Sequence, residues 1–458
     1  MTPRTRRFCV LLAAVGAAVP ARGADEVADP VPRYRLKVGQ ELSYRQTSEL
    51  KYGSGAAAGS LSSRADWDIW VVGRNADGSW RLVLRSSHSD WQGKAPRGAK
   101  PSHSLTSCDL FPDGRLVTHD TAAHAPEPAA MFPRLPKDAA EAGKGWEDRR
   151  PRDDIHCAFR VVGPDRDDAN LLVFDEVRDS PLDQIYLSAS RTRFWFDRKR
   201  GLVHHATGNN SQGYGFQGKG TGFVELRGAR AKDAAWVKQL AAEADRYFAE
   251  HKKYNDLLIG AAKDGKDTEA LLKKAEDVLA QMRANATMPL TKEQVDELEK
   301  GHKQTAEYLT QEAKRRAEVV GKPAAAWELK DLDGKAHALA DYKGKVVVLD
   351  FWYRGCGWCM RAMPQVKQLA DDFKGQPVAV LGLCTDPDEK DARFVADKMK
   401  LNYPVLRAKG VPEKYKVQGF PTLIVIDQEG AVRAFHVGYS ATLRDDVAKV
   451  VRGLLAKK

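Results

Sequence analysis

Two cysteines separated by two residues, Cys356-Gly357-Trp358-Cys359, are the side chains of this chain best suited to chemistry. At that spacing two thiols can close into a disulfide and reopen, passing two electrons to or from other thiols through a mixed disulfide. The run Lys345-Val-Val-Val-Leu-Asp350-Phe-Trp352 comes just before them, short, apolar and ending in aromatics, as expected of a central strand buried on both faces. After them, Cys359 to Phe373 has helical composition, with Met363, Val366, Leu369 and Phe373 on one face. The pair therefore falls where strand meets helix. Unpaired N–H groups and the dipole at a helix start stabilise a thiolate, which makes Cys356 the expected nucleophile. On the residues alone two other readings stay open, a disulfide staple and half of a metal site. Zinc needs two further ligands. No second Cys-x-x-Cys or close His pair follows in this region, where His436 and Cys384 stand isolated.

The elements that must position this pair occupy the last third of a 458-residue chain, long enough for about three domains. From about Pro32 to Arg230 the pattern is that of antiparallel strands broken by Gly and Asp-Gly turns. Trp67, Ile69 and Val71 alternate with Asp66, Asp68 and Trp70, and Asn75-Ala-Asp-Gly78 turns the chain into Trp80, Leu82 and Leu84. Similar turns stand at Phe111-Pro-Asp-Gly114 and between Phe196 and Leu202. A sandwich and an open barrel both fit this pattern. From Ala231 to Val320 the composition changes to Ala, Glu, Lys, Leu and Gln, with one proline, Pro289. Three apolar stripes are expected there, through Trp236 and Leu240, through Leu272 and Leu279, and through Val295 and Leu309, separated near Gly265 and Pro289. Thr291 with Gln294 reads as a capping box for the third helix.

The chain opens with Arg4, Arg6 and Arg7, the apolar run Cys9 to Val19 and the small-x-small site Ala21-Arg-Gly23, the layout of an export leader cleaved before Ala24. Removing that leader's four arginines lowers the formal charge of +11 to +7. Acidic and basic residues alternate throughout, without an arginine-rich tract, so a nucleic-acid partner is excluded; peripheral association with a membrane or envelope remains compatible. Five cysteines remain, at 108, 157, 356, 359 and 384, too few for a disulfide scaffold. Cys108 and Cys157 fall on separate strands whose pairing spacing does not decide, and Cys384 reads as a buried strand-end residue or a third redox centre. His156, His204 and His205 read as sheet residues.

Asp350-Phe-Trp352 ahead of Cys356-x-x-Cys359, Pro364 in the following helix and Gly419-Phe-Pro421-Thr422 downstream resemble thioredoxin. Gly321-Lys-Pro323, the Asp333-Gly-Lys335 turn and Leu339-Ala-Asp-Tyr-Lys-Gly-Lys345 resemble, more narrowly, the exported TlpA/ResA-like thioredoxins. The resemblance covers residues 321–458 and none of the residues before it. It implies an α/β thioredoxin-like fold and action on protein disulfides outside the cytoplasm, often as a reductant for cytochrome c maturation or other redox assembly. It implies that Cys356 attacks, that Cys359 resolves the mixed disulfide, and that buried Asp350 takes the proton of Cys359. It also makes Pro421 a cis proline facing the disulfide, with Phe420, Trp352 and Trp358 joining it as substrate-binding residues. A peroxidase of the peroxiredoxin class shares this fold but needs a Thr-x-x-Cys setting, absent here.

Departures from the pattern are the central Gly357-Trp358, the preceding Tyr353-Arg-Gly355 and the lack of lysine in Val378 to Cys384. Arg354 either stabilises the thiolate or is solvated. The fold expected is multidomain: a leader (1–23), a β-rich antiparallel domain (24–230), a helical hairpin or linker (231–320) and the α/β thioredoxin-like domain (321–458). The function expected is an exported thiol-disulfide oxidoreductase, a reductase or isomerase, needing no cofactor or metal. Its partners are protein thiols or disulfides and a redox-recycling partner, and its compartment is the periplasm or cell envelope. The rival expectation makes the β-rich domain the functional part, binding an apolar ligand, polysaccharide or envelope protein. A large apolar cavity or aromatic groove in 32–230 would favour that rival.

Overall fold

A computed structural model of the chain describes residues 31–52, 59–92, 101–119, 128–150, 155–179, 187–212, 218–263 and 267–456. The leader, with Cys9, lies outside the described residues, as does Gly265.

Eleven strands form one antiparallel sheet: β1 (Gln40–Tyr52), β2 (Gly59–Arg74), β3 (Trp80–Gln92), β4 (Ser102–Leu110), β5 (Leu116–Thr118), β6 (Trp146–Arg150), β7 (Ile155–Pro164), β8 (Leu171–Asp179), β9 (Leu187–Asp197), β10 (Leu202–Gln212) and β11 (Gly218–Ala231). The order 5-4-3-2-1-11-10-9-8-7-6 is two meanders joined where β1 pairs β11. The expected alternation holds, since Trp67, Ile69 and Val71 point into a core with Phe174, Phe194 and Phe196, while Trp70 and Val72 face the other way. Two consecutive residues establish the sheet's curvature. The N–H of Tyr34 donates to Pro112 in the β4–β5 turn at 2.9 Å, and that of Arg35 donates to Gly201 in the β9–β10 turn at 3.2 Å. A flat sheet would hold those turns about 29 Å apart, six strand spacings, so the sheet curls around its core and remains one open sheet. Cys108 on β4 and Cys157 on β7, with seven strands between them in the sheet order, are both buried in that core.

A short helix, α1 (Ala139–Lys144), precedes β6, and after β11 come three long helices: α2 (Ala234–Lys263), α3 (Thr268–Asn285) and α4 (Pro289–Val319). Their stripes close over the outer face of β2 to β4, where Trp70, Val72, Val83 and Leu105 meet Val237, Leu240, Val278, Met282 and Val295. Trp70 lies 5.7 Å from Trp236, ring centre to ring centre. The expected capping box at Thr291 is corrected. Pro289 is already the first residue of α4, because a helix start tolerates a residue without an N–H, and Met288 is its cap. Thr291 instead donates to Glu243 of α2, whose carboxylate also accepts the N–H groups of Thr287 at 2.9 Å and Met288 at 2.8 Å. Burial of this carboxyl raises its pKa, and the hydrogen bonds outweigh that and hold it below the usual range.

The remaining elements are a small hairpin, β12 (Glu328–Lys330) with β13 (Ala336–Ala338), and a five-stranded sheet of β14 (Val346–Trp352), β15 (Val378–Cys384), β16 (Val405–Arg407), β17 (Thr422–Ile426) and β18 (Val432–Val437). Helices α5 (Gly357–Asp372), α6 (Glu389–Met399), α7 (Val411–Lys414) and α8 (Leu443–Leu455) complete it. The order 16-15-14-17-18 puts β14 at the centre, parallel to β15 and antiparallel to β17. Every residue of β14 is buried. Val347, Leu349 and Phe351 enter one core, while Val346 and Val348 enter another beneath α5 and α8.

Glu243 joins two helix ends that would otherwise have buried, unmatched donors. Glu243→Ala is expected to destabilise the chain by about 3 kcal/mol, the scale of charge-assisted hydrogen bonds lost from buried donors. Urea unfolding measures it, and a midpoint equal to that of the parent chain would refute the assignment.

Candidate functional site

The first turn of α5 carries the reactive pair. Cys356 is the N-cap of α5, and its Sγ accepts the N–H of Cys359 at 3.0 Å. The two sulfurs form a disulfide with their Cα atoms 5.2 Å apart. Both cysteines are buried, Cys356 at 5% exposed slightly less so than Cys359 at 1%. The same N–H and helix start would hold a reduced Cys356 as thiolate.

Asp350 lies beneath, on the β14 face shared with Val348 and Trp352. Its neighbours across the sheet are Gly382 and Leu423. Gly382 leaves space that a Cβ would fill, at 3.0 Å from both Trp352 Nε1 and the Tyr403 ring. Through that space Tyr403 donates its hydroxyl to Asp350 Oδ2 at 3.3 Å, while Oδ1 is buried without a hydrogen-bond partner among the described residues. Burial raises the Asp350 pKa from the ordinary carboxylate value to about 7, and the Tyr403 bond opposes the rise only in part. An acid poised there can hold or release a proton at neutral pH.

The peptide between Phe420 and Pro421 is cis, and Pro421 is buried immediately before β17. Phe420 is half-buried against the cysteine cluster and meets Tyr353 edge-on at 5.3 Å. Trp358 stacks on Tyr439 at 5.6 Å, with the Arg361 guanidinium 5.0 Å from its ring centre. Cys356, Cys359, Trp352, Trp358 and Phe420 thus share one apolar cluster. Trp352 differs from the expectation of substrate contact. It is fully buried and forms the floor beside the disulfide, because the seventh residue of a strand enclosed on both faces has no route to solvent.

Arg354 is largely buried rather than solvated. It forms a 2.6 Å ion pair with Asp391 and lies 4.1 Å over the Phe394 ring, while its N–H donates to Asp386 at 2.7 Å. Cys384 donates its thiol to that same Asp386 at 3.2 Å, and burial pushes its pKa up, so Cys384 is a strand-end thiol held in its protonated form. Sequence reasoning missed Tyr403, Asp386 and Tyr439. Asp386 could have been suspected from its place two residues past the end of β15, whereas Tyr403 lies 53 residues from Asp350 with no periodic signal linking them.

The AhpC/TSA family model matches residues 320–435. The thioredoxin-like protein YneN of Bacillus subtilis is 34% identical over 134 residues, 29% of this chain and 79% of that protein. The thiol-disulfide oxidoreductase ResA of Geobacillus thermodenitrificans is 32% identical over 126 residues, 27% of this chain and 72% of that protein. The crystal structure of the thioredoxin domain of a thiol-disulfide oxidoreductase from Bacteroides vulgatus is 31% identical and covers 30% of this chain and 96% of that one, with a TM-score of 0.27.

A proton kept on buried Asp350 links stability to pH. The folded chain retains that proton up to about pH 7, whereas the unfolded chain releases it near pH 4. Stability is therefore expected to fall by about 4 kcal/mol as pH rises from 4 to 7 and then to level off. Asp350→Asn should remove this contribution, so the variant gains on the parent chain with rising pH. Denaturation midpoints of both proteins across pH 4–8 check this, and a constant difference would rule it out.

Through residues 320–435 the chain belongs to the ResA-like family of thioredoxin-fold thiol-disulfide oxidoreductases.

Proposed function

We propose that the chain is an exported reductase or isomerase of protein disulfides, working through the Cys356–Cys359 dithiol. The observation that carries this reading is the disulfide at the start of α5, its first cysteine slightly the more exposed, which follows a strand carrying a buried acid with a pKa of about 7. In the reducing direction the Cys356 thiolate attacks one sulfur of a substrate disulfide, breaking that bond and releasing one substrate thiolate. Asp350 as carboxylate takes the proton of Cys359. The Cys359 thiolate then attacks Cys356 Sγ and expels the second substrate thiolate. Two electrons have moved to the substrate, and the enzyme is left with its disulfide. A dithiol partner reduces it again.

The loop at Pro421 supports binding of an extended polypeptide. Pro421 accepts the N–H of Gly438 at 2.8 Å and Gly419 accepts the Thr422 hydroxyl at 2.7 Å, while the N–H and C=O of Phe420 have no partner among the described residues. Those two groups match what a substrate strand offers. Phe420, Pro421 and Trp358 are the proposed contact residues, with Trp352 as their support.

Division into domains at 24–230, 231–320 and 321–458 belongs to this reading, with the first two positioning a partner. Export to the periplasm or envelope rests on the leader-like residues 1–23. No helix among the described residues is long and apolar enough to cross a membrane. The ligand-binding alternative for residues 32–230 gains no support, since the enclosed face is filled by Tyr34, Phe132, Phe174 and their neighbours. A pocket on this sheet, between Glu49, Leu50, Leu61, Ser63 and Asp90, has a volume of about 200 Å³ and a mixed polar and apolar wall.

Equilibration of the mature protein with glutathione or dithiothreitol, with Cys356→Ser as control, gives the potential of the pair. A value toward −270 mV, about that of thioredoxin, is expected, and one near −120 mV would make the chain an oxidant instead. Asp350→Asn should slow reduction of insulin by about a hundredfold at neutral pH, the lower end of what one general base supplies. An unaltered rate would remove Asp350 from the mechanism.

A further inference from the structure

Helix α4, from outside the matched family region, reaches the loop beside the disulfide. A Cβ built on Gly419, two residues before cis Pro421, would meet Val437 at 2.9 Å and the Tyr308 hydroxyl at 3.5 Å. A neighbouring stripe of α4 is occupied by packing, with Val295, His302, Leu309 and Arg316 buried, whereas Tyr308 remains 47% exposed. Burial of its remaining surface, with Glu312 nearby, raises the pKa of the phenol, so it stays protonated and able to donate.

The helices are held in this position at several points. Lys263 pairs with Asp446 at 2.6 Å, Lys416 pairs with Glu318 at 3.8 Å, and Arg316 donates to the Ala262 carbonyl at 2.7 Å. His436 on β18, the strand that ends at Val437, lies close enough to Arg316 to feel its charge. Tyr308 thus stands at a fixed place on one side of Gly419-Phe420, while Tyr353, 37% exposed, meets Phe420 from another. Gln304 and Gln311, four residues before and three after Tyr308, are exposed and share its helical face. A phenol and two amides offer uncharged donors and acceptors, suited to a polypeptide backbone.

We infer that α4 forms a second wall of the groove over the disulfide and that Tyr308 contacts the polypeptide whose cysteine reacts at Cys356. The inference rests on the protein-disulfide function proposed above. It makes the preferred substrate an extended, cysteine-bearing protein segment rather than a small disulfide.

The full mature chain and its Tyr308→Ala and Tyr308→Phe variants test it, with insulin and glutathione disulfide as probes. Tyr308→Ala should lower kcat/KM for insulin about fivefold through KM, the effect of one rim aromatic, and lower the insulin-to-glutathione-disulfide ratio equally. The potential of the cysteine pair should stay at the parent value. Tyr308→Phe, which keeps the ring, should lie between the two. Equal losses on both probes, or a parent-like insulin KM in either variant, would overturn the inference. A parent chain that turns over glutathione disulfide but not insulin would also overturn it, while one that turns over neither would overturn the proposed function itself.

Discussion

Strand Val346–Trp352 loses all contact with water, and the position of every group in the site follows from that enclosure. Flanking strands satisfy its backbone on both edges, and apolar cores take its side chains on both faces. A carboxyl placed in such a strand has no water to stabilise its charge, so Asp350 keeps its proton far above the ordinary carboxylate range. The strand ends directly below the start of α5, where unpaired N–H groups favour the opposite outcome for sulfur. One short element therefore carries a group that resists ionisation and leads directly into one that is helped to ionise.

The same enclosure explains two differences from simple motif reading. Trp352 looks like an aromatic available to a substrate, yet it ends a strand covered on both sides and becomes part of the floor. Arg354 looks available to the thiolate, yet Asp391 and Phe394 hold its charge to one side.

The large sheet and the three long helices contribute through their mutual burial. Trp70 and Val83 on the sheet and Leu240 and Met282 on the helices cover each other, and Glu243 closes the junction between the helix ends. That packing, with the Lys263–Asp446 pair at its far end, brings α4 beside the loop of Pro421. A region carrying no cysteine motif of its own thereby comes to lie beside that loop.

Much of this was legible in the linear chain wherever the signal is local. Alternation in Trp67, Ile69 and Val71 specified strands, since side-chain period alone sorts residues between faces. The run before Cys356 and the amphipathic stretch after it located the strand-to-helix junction, and with it the cysteine pair. What required the tertiary structure are the relations between residues far apart in sequence. Tyr403 finds Asp350 only because Gly382 leaves a gap between strands, Glu243 displaces the expected capping box at Thr291, and the sheet's curl depends on Tyr34 and Arg35 bonding two distant turns. Propensity and periodicity act over a few residues, whereas the pKa of a buried acid and the neighbours of a reactive sulfur depend on whatever folding brings within a few ångströms.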